Sequence, residues 1–161
     1  MENIIKLNQD DRLVLDIVTA DGEKTGDYLV FDLEDIELPL KYANMLEEER
    51  KNRSWLKNQE IILSKKQDVK NKKDYLSKNE IERVKIYNSF YKKEIEIYNE
   101  FLGENGVQKL LHGRKMGWTR LEEINKIIST YILPKLDMKK ETIINKIENI
   151  YSIDANKEVM K

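Results

Sequence analysis

The chain holds few groups able to do chemistry. His112 is its only histidine, so it would have to serve as the base of any nucleophile-activating set or as the lone imidazole of a metal site. It stands between Leu111 and Gly113, the setting of a helix end rather than of an activated base. The carboxylate pairs Asp10-Asp11 and Glu122-Glu123 and the run Glu47-Glu48-Glu49 could in principle share acid and base work or bind a hard cation. Neighbours on a helix point apart, however, and no calcium-loop spacing surrounds these acids. Asp10-Asp11 reads as a turn before a strand. Gly103, Gly106, Gly113 and Gly117 come close together, but no Gly-Lys-Ser/Thr follows and no apolar strand precedes, so helix termination explains them better than a phosphate cradle. The expectation is no catalytic residue, no cofactor and no metal.

Composition narrows the class further. There are no cysteines, which excludes disulfide scaffolds, thiol nucleophiles and thiolate metal sites. The first residues lack a basic segment followed by an apolar run, and no stretch approaches the roughly 20 apolar residues of a membrane span. A soluble protein of the cytoplasm is expected. The net charge of −1 hides an asymmetry: residues 1–36 carry ten acidic and three basic side chains, so the remainder is basic. Lys65, Lys66, Lys70, Lys72 and Lys73 with Tyr75 nearby could contact nucleic acid, but acidic residues dilute the segment and a solvated face is the expected role.

The fold class expected is mainly α with a small β component. Leu13, Leu15 and Ile17 alternate with Val14, Asp16 and Val18, and Asp21-Gly22 and Gly26 precede Tyr28 to Leu33, which reads as a β-hairpin within residues 1–36. A lone hairpin is marginal, so it must pack on helices, gain a strand such as Ile4 to Leu7, or pair with another subunit. Residues 37–76 read as a long polar helix from Leu40, with Pro39 near its start and an exposed lysine-rich end or connection. Residues 77–152 read as a C-terminal helical bundle. Ser77 to Glu80 and Thr119 to Glu122 are capping-box sequences, and Pro134 separates the helix of Leu121, Ile124, Ile127, Ile128, Tyr131 and Ile132 from a last one bearing Ile143, Ile144, Ile147, Ile150 and Tyr151. Residues 153–161 are expected to be a flexible tail.

The helix after Ser77 has two apolar stripes. Ile81, Val84, Asn88, Tyr91, Ile95, Tyr98 and Leu102 recur in steps of three and four, and Ile86, Phe90, Ile97 and Phe101 lie round the cylinder from them. Two faces require two neighbours, one of which could be a second chain. Internal packing is the expected single role of each tryptophan: Trp118 would staple the start of the next helix to the core, whereas Trp55, alone in a polar helix, is also a candidate anchor for a partner.

The run Tyr98-Asn99-Glu100-Phe101-Leu102-Gly103-Glu104-Asn105-Gly106-Val107-Gln108-Lys109-Leu110-Leu111-His112-Gly113 resembles the core motif of tail assembly chaperones of tailed phages and prophages of Gram-positive bacteria. There a helix ends in an aromatic, an apolar residue and Gly-Glu-x-Gly, and a short helix and a further Gly follow. The similarity covers about residues 80–133; the lysine-rich middle and the helix after Pro134 depart from it. The resemblance implies a non-catalytic protein in the cytoplasm of a bacterial host. It would bind the apolar helical tape measure protein, help recruit the tail tube protein and self-associate. Phe90, Tyr91, Ile95, Tyr98 and Phe101 would make the contacts, and Gly103, Gly106 and Gly113 would shape the motif. Two alternatives stay open at this stage: a structural or adaptor component retained in the tail, and a small nucleic-acid-binding regulator using the 65–73 face.

Overall fold

The structure, a computed structural model, describes residues 3–7 and 11–159. It is mainly α with one two-stranded sheet. Strands β1 (Arg12–Val18) and β2 (Lys24–Asp32) pair antiparallel, with Leu13 opposite Phe31 and Leu15 opposite Leu29 on the inner face and Val14 opposite Val30 on the outer. The register slips between Asp16 and Val18, where Gly26 takes φ +85° and the Thr25 hydroxyl donates to the Ile17 carbonyl at 2.9 Å. That extra length twists the hairpin tip, as a bulge does. Residues 3–7 form no strand, and Ile4, Ile5 and Leu7 are exposed. The hairpin finds its support on helices instead.

Helix α1 (Leu38–Ser64) starts with Pro39 in its first turn, where a missing N–H costs nothing. It buries only Leu38, Met45, Asn52 and Leu63. Such a narrow seam can serve one neighbour, and that neighbour is α2 (Lys78–Leu102), which runs back along it. Asn52 reaches the Phe90 carbonyl at 3.1 Å, Arg83 pairs with Glu60 at 3.2 Å, and the Asn79 amide donates to the Lys66 carbonyl at 3.0 Å. The 65–77 connection folds back on the start of α2, where Lys78 N–H donates to Val69 O and the Ser77 hydroxyl accepts from Glu80 N–H at 3.1 Å. The Ser77 half of the first capping box is therefore formed.

The second box does not form. Helix α4 (Trp118–Ile127) is preceded by Gly117 in extended conformation with no side-chain cap, so Thr119 lies inside the helix and Glu122 is turned to the Trp118 indole N–H at 3.0 Å. Nor does Pro134 divide two helices. A π-turn (Ile128–Ile132), in which Leu133 N–H donates to Ile128 O, joins α4 to α5 (Leu133–Val159) without a break. The buried positions explain it. Ile124, Ile128, Ile132 and Leu136 recur every four residues, which on a regular α-helix would drift by about 120° over the three steps. One residue of extra winding cancels most of that drift and loosens the turn before a proline that has no N–H to give. The same rephasing turns Tyr131, expected inward, to solvent at 58 % exposure. The tail expected from residue 153 is helical as far as Val159.

The core sits where the inner hairpin face meets the C-terminal half of α2, the short α3 (Gly106–Leu111) and α4 with the π-turn. Phe31 and Tyr42 flank the Phe101 ring at 5.6 and 5.2 Å. Lys139 of α5 bonds Asp11 at 3.2 Å and pairs with Glu34, so the acidic N-terminal region is held by a base 128 residues from Asp11.

Candidate interaction surfaces

Several of the residues considered for chemistry make structural contacts. His112 is the C-cap of α3 at φ +48°, with its N–H on the Gln108 carbonyl. Glu47, Glu48 and Glu49 pair with Arg50, Lys51 and Arg53 along α1. Asp10 lies outside the described residues. Among the described residues no group of three or more His, Cys, Asp or Glu could hold a metal ion, and no helix is long and apolar enough to cross a membrane. The lysines of 65–73 are exposed on the connection.

The glycine motif is a tight corner between α2 and α3. Gly103 ends α2 at φ +97°, and Asn105 follows at φ +55°. Asn99, one turn before the end of α2, accepts the Val107 N–H at 2.8 Å and donates to the Gln108 side chain at 2.9 Å, which fixes α3 against α2. Gly106 has no room for a side chain: a Cβ there would stand 2.6 Å from the Leu102 Cβ. Gly106→Ala is expected to cost about 1–3 kcal/mol by overpacking, against a near-neutral Gly117→Ala, whose Cβ meets nothing within 4 Å. Thermal unfolding of the two variants checks this. Equal midpoints would mean that the corner relaxes and the close approach is unimportant.

Three of the expected contact residues are used inside the chain. Phe90 is fully buried, Tyr98 is 1 % and Phe101 3 % exposed. The reason is that α2 meets both its neighbours within one chain: α1 and the hairpin cover the Phe90 and Phe101 stripe, and α4 covers the Tyr98 stripe, where the Tyr98 hydroxyl donates to Asn125 at 2.6 Å. Tyr91 and Ile95 are half-buried against the same core, so each keeps part of its surface open. The distal part of the first stripe, Ile81, Val84 and Asn88, is exposed. Trp118 is half-exposed, with the Arg53 guanidinium 5.1 Å above its ring, so it fastens α4 to α1 by a cation over an aromatic face rather than by burial.

Trp55 is at the surface, 37 % exposed. It closes one end of a groove along the α1–α2 seam, formed by two adjoining hollows of about 380 and 330 Å³ that share Glu48 and Lys93. Met45 and Ile97 line its floor. Lys41, Glu48 and Lys51 from α1, and Lys93, Glu96 and Glu100 from α2, give it charged walls of both signs.

Beneath the seam lies a residue that sequence reasoning passed over. Glu94 is fully buried; its Oε1 accepts from Asn52 at 3.0 Å, and its Oε2 has no hydrogen-bond partner. Burial pushes its pKa up to about 7; the Asn52 hydrogen bond and Arg53 pull it down, and Glu49 pushes it up. The same burial raises the Tyr98 phenol well above its ordinary value. A signal was available: Phe90, Glu94, Ile97 and Phe101 step by four, three and four, so the carboxylate stands in an apolar seam, and Asn52 follows Met45 by seven on the facing helix.

Two further apolar surfaces are open. Val14, Val18, Tyr28 and Val30 populate the outer face of the hairpin, and Ile144, Ile147 and Ile150 remain 41–59 % exposed along α5. No protein-family model matches this chain, and no curated protein or solved structure does either.

Proposed function

We propose that this chain is a non-catalytic assembly chaperone that lays an amphipathic helix of a client protein into the α1–α2 groove. The observation that carries the reading is the groove itself: an exposed tryptophan at its end, charged rims of both signs, and a narrow floor at which Met45 and Ile97 show only 2 and 4 % of their surface. That is the chemistry of helix-in-groove recognition, in which a client's apolar stripe is covered and its flanking charges meet the rims. From Lys41 to Trp55 the groove spans about 21 Å, or about four helical turns of a client. Trp55 supplies the kind of large, partly exposed anchor on which binding energy concentrates. The resemblance of residues 98–113 to phage tail assembly chaperones names the client class: the long apolar helical tape measure protein, in the cytoplasm of a bacterial host, with the tail tube protein recruited afterwards. The glycine motif that carries the resemblance shapes the α2–α3 corner, and the groove does the binding.

The test is co-expression with the tape measure protein encoded nearest its gene, followed by co-purification. Soluble co-elution is expected with the parent chain, weakened by about tenfold or more in Trp55→Ser, a change at an exposed position that leaves the circular dichroism unaltered. A client that is equally insoluble with and without the chain, or equal capture by Trp55→Ser, would remove the reading. Recovery of the chain from finished tails would assign it instead to a permanent adaptor.

A further inference from the structure

Residues 65–78, the connection and the first residue of α2, carry six lysines against two aspartates, a net +4 in a chain whose total is −1. In the sequence those aspartates dilute the lysines. In the structure they are turned to the backbone: Asp68 Oδ1 accepts the Val69 and Asn79 N–H groups, each at 2.9 Å, and Asp74 Oδ2 accepts the Asn71 N–H at 3.3 Å. Lys65, Lys66, Lys70, Lys72, Lys73 and Lys78 are all exposed, and none makes an ion pair among the described residues. The connection also has a fixed shape. Asp74 N–H donates to Asn71 O at 3.0 Å, Lys78 N–H to Val69 O at 2.9 Å, and the Asn79 side-chain amide to Lys66 O at 3.0 Å.

On this frame Tyr75 stands out to solvent at 92 % exposure. It forms one wall of an open hollow of about 550 Å³, with Val69 and Ile81 as apolar sides and Lys73 and Lys78 at the rim. The aromatic wall separates the ligands that lysines alone would accept. An acidic peptide brings charge without a flat ring beside each carboxylate, and a membrane surface offers no single group to fill a hollow. A duplex keeps its bases stacked inside. A single strand brings a base with every phosphate, which matches a ring flanked by cations.

We propose that this connection is a site for single-stranded nucleic acid, in which a base stacks on Tyr75 within the hollow and the surrounding lysines neutralise the neighbouring phosphates. The site lies past the end of the α1–α2 groove, about 15 Å along α1 from Trp55 to Lys65, and stands independently of what that groove binds.

The test is fluorescence anisotropy of the full chain with labelled oligo-dT and oligo-rU strands of about 12 nucleotides. Dissociation constants of about 1–100 µM are expected. With about three or four phosphate contacts, binding should weaken by about 20- to 50-fold between about 50 and 200 mM salt. The tighter of the two strands names the sugar that the site takes. Tyr75→Ser should bind about tenfold more weakly with the same salt dependence. Lys73→Gln with Lys78→Gln should instead flatten that dependence, lowering the slope of log K against log salt by about 1.4. All three positions are exposed, so both variants should melt with the parent. No binding at low salt, or equal binding by Tyr75→Ser, would overturn the proposal. So would a duplex, a polyglutamate peptide or a phosphatidylserine vesicle bound as tightly as the single strand. Client capture is a separate readout: Tyr75→Ser should leave it intact, and its loss in Trp55→Ser would count only for the groove.

Discussion

Replacing Glu94 by Gln is expected to stabilise the protein at neutral pH and to abolish its main pH dependence between about 4.5 and 7. Glu94 is fully buried, with one oxygen held by Asn52 and the other unpartnered. Burial raises its pKa from 4.5 in the unfolded chain to about 7 in the folded one. Between those values the folded state holds the proton that the unfolded state has released. Stability therefore falls as pH rises through this window and levels off above it. A displacement of that size corresponds to on the order of 3 kcal/mol. Gln keeps the shape and the acceptor for Asn52 but has no charge to bury. Urea midpoints of the parent at pH 5 and 7.5 should differ, with the parent weaker at 7.5, and those of Glu94→Gln should nearly coincide there. If both proteins lose stability in parallel across the window, the buried carboxyl is not the group responsible.

Phe90→Ala should be the most damaging truncation in the α1–α2 seam, costing about 3–5 kcal/mol. The ring is fully buried, stacks edge-on with Tyr91 at 5.2 Å, and its residue's carbonyl accepts from Asn52 beside Glu94. For a chain of this size the loss lowers the melting temperature by roughly 10 °C or more. Val84→Ala, on the same helix but 59 % exposed, should stay within about 0.5 kcal/mol. Calorimetry separates a core role from a contact role. A Phe90→Ala protein as stable as its parent but unable to bind client would return this face to the interface. Charge substitutions at Phe90 or Tyr98 are accordingly expected to unfold the chain, not to dissect binding.

How much of this was legible in the sequence depends on how local its cause is. The hairpin, the Pro39 start of α1, the Ser77 cap and the Gly103 corner rest on side chains that act on the nearest turn of backbone, and these were readable. Two stripes on α2 were also readable, but whether a face is covered by the same chain or another depends on where α4 returns, which periodicity does not carry. The π-turn was written in the four-residue spacing of Ile124, Ile128, Ile132 and Leu136, and Pro134 drew attention from it. Gly117 took the cap from Thr119 because the helix started earlier, at Trp118. Of the candidate site, Trp55 stands at the surface, where its polar helix left both packing and exposure open; the groove beside it needed both helices in place, and Glu94 needed Asn52 opposite.

The tie between Lys139 and the acidic pair Asp11 and Glu34 bears on how the chain is made. Synthesis delivers the hairpin well before Phe101 and the helices that cover its inner face, and the lysine that holds its base comes later still. Two strands alone are barely stable, so the hairpin stays unfinished on the ribosome while α1 and α2 can zip together behind it. The hairpin is thus translated before the elements that secure it, and a chain stopped before Lys139 leaves Asp11 and Glu34 without that tie.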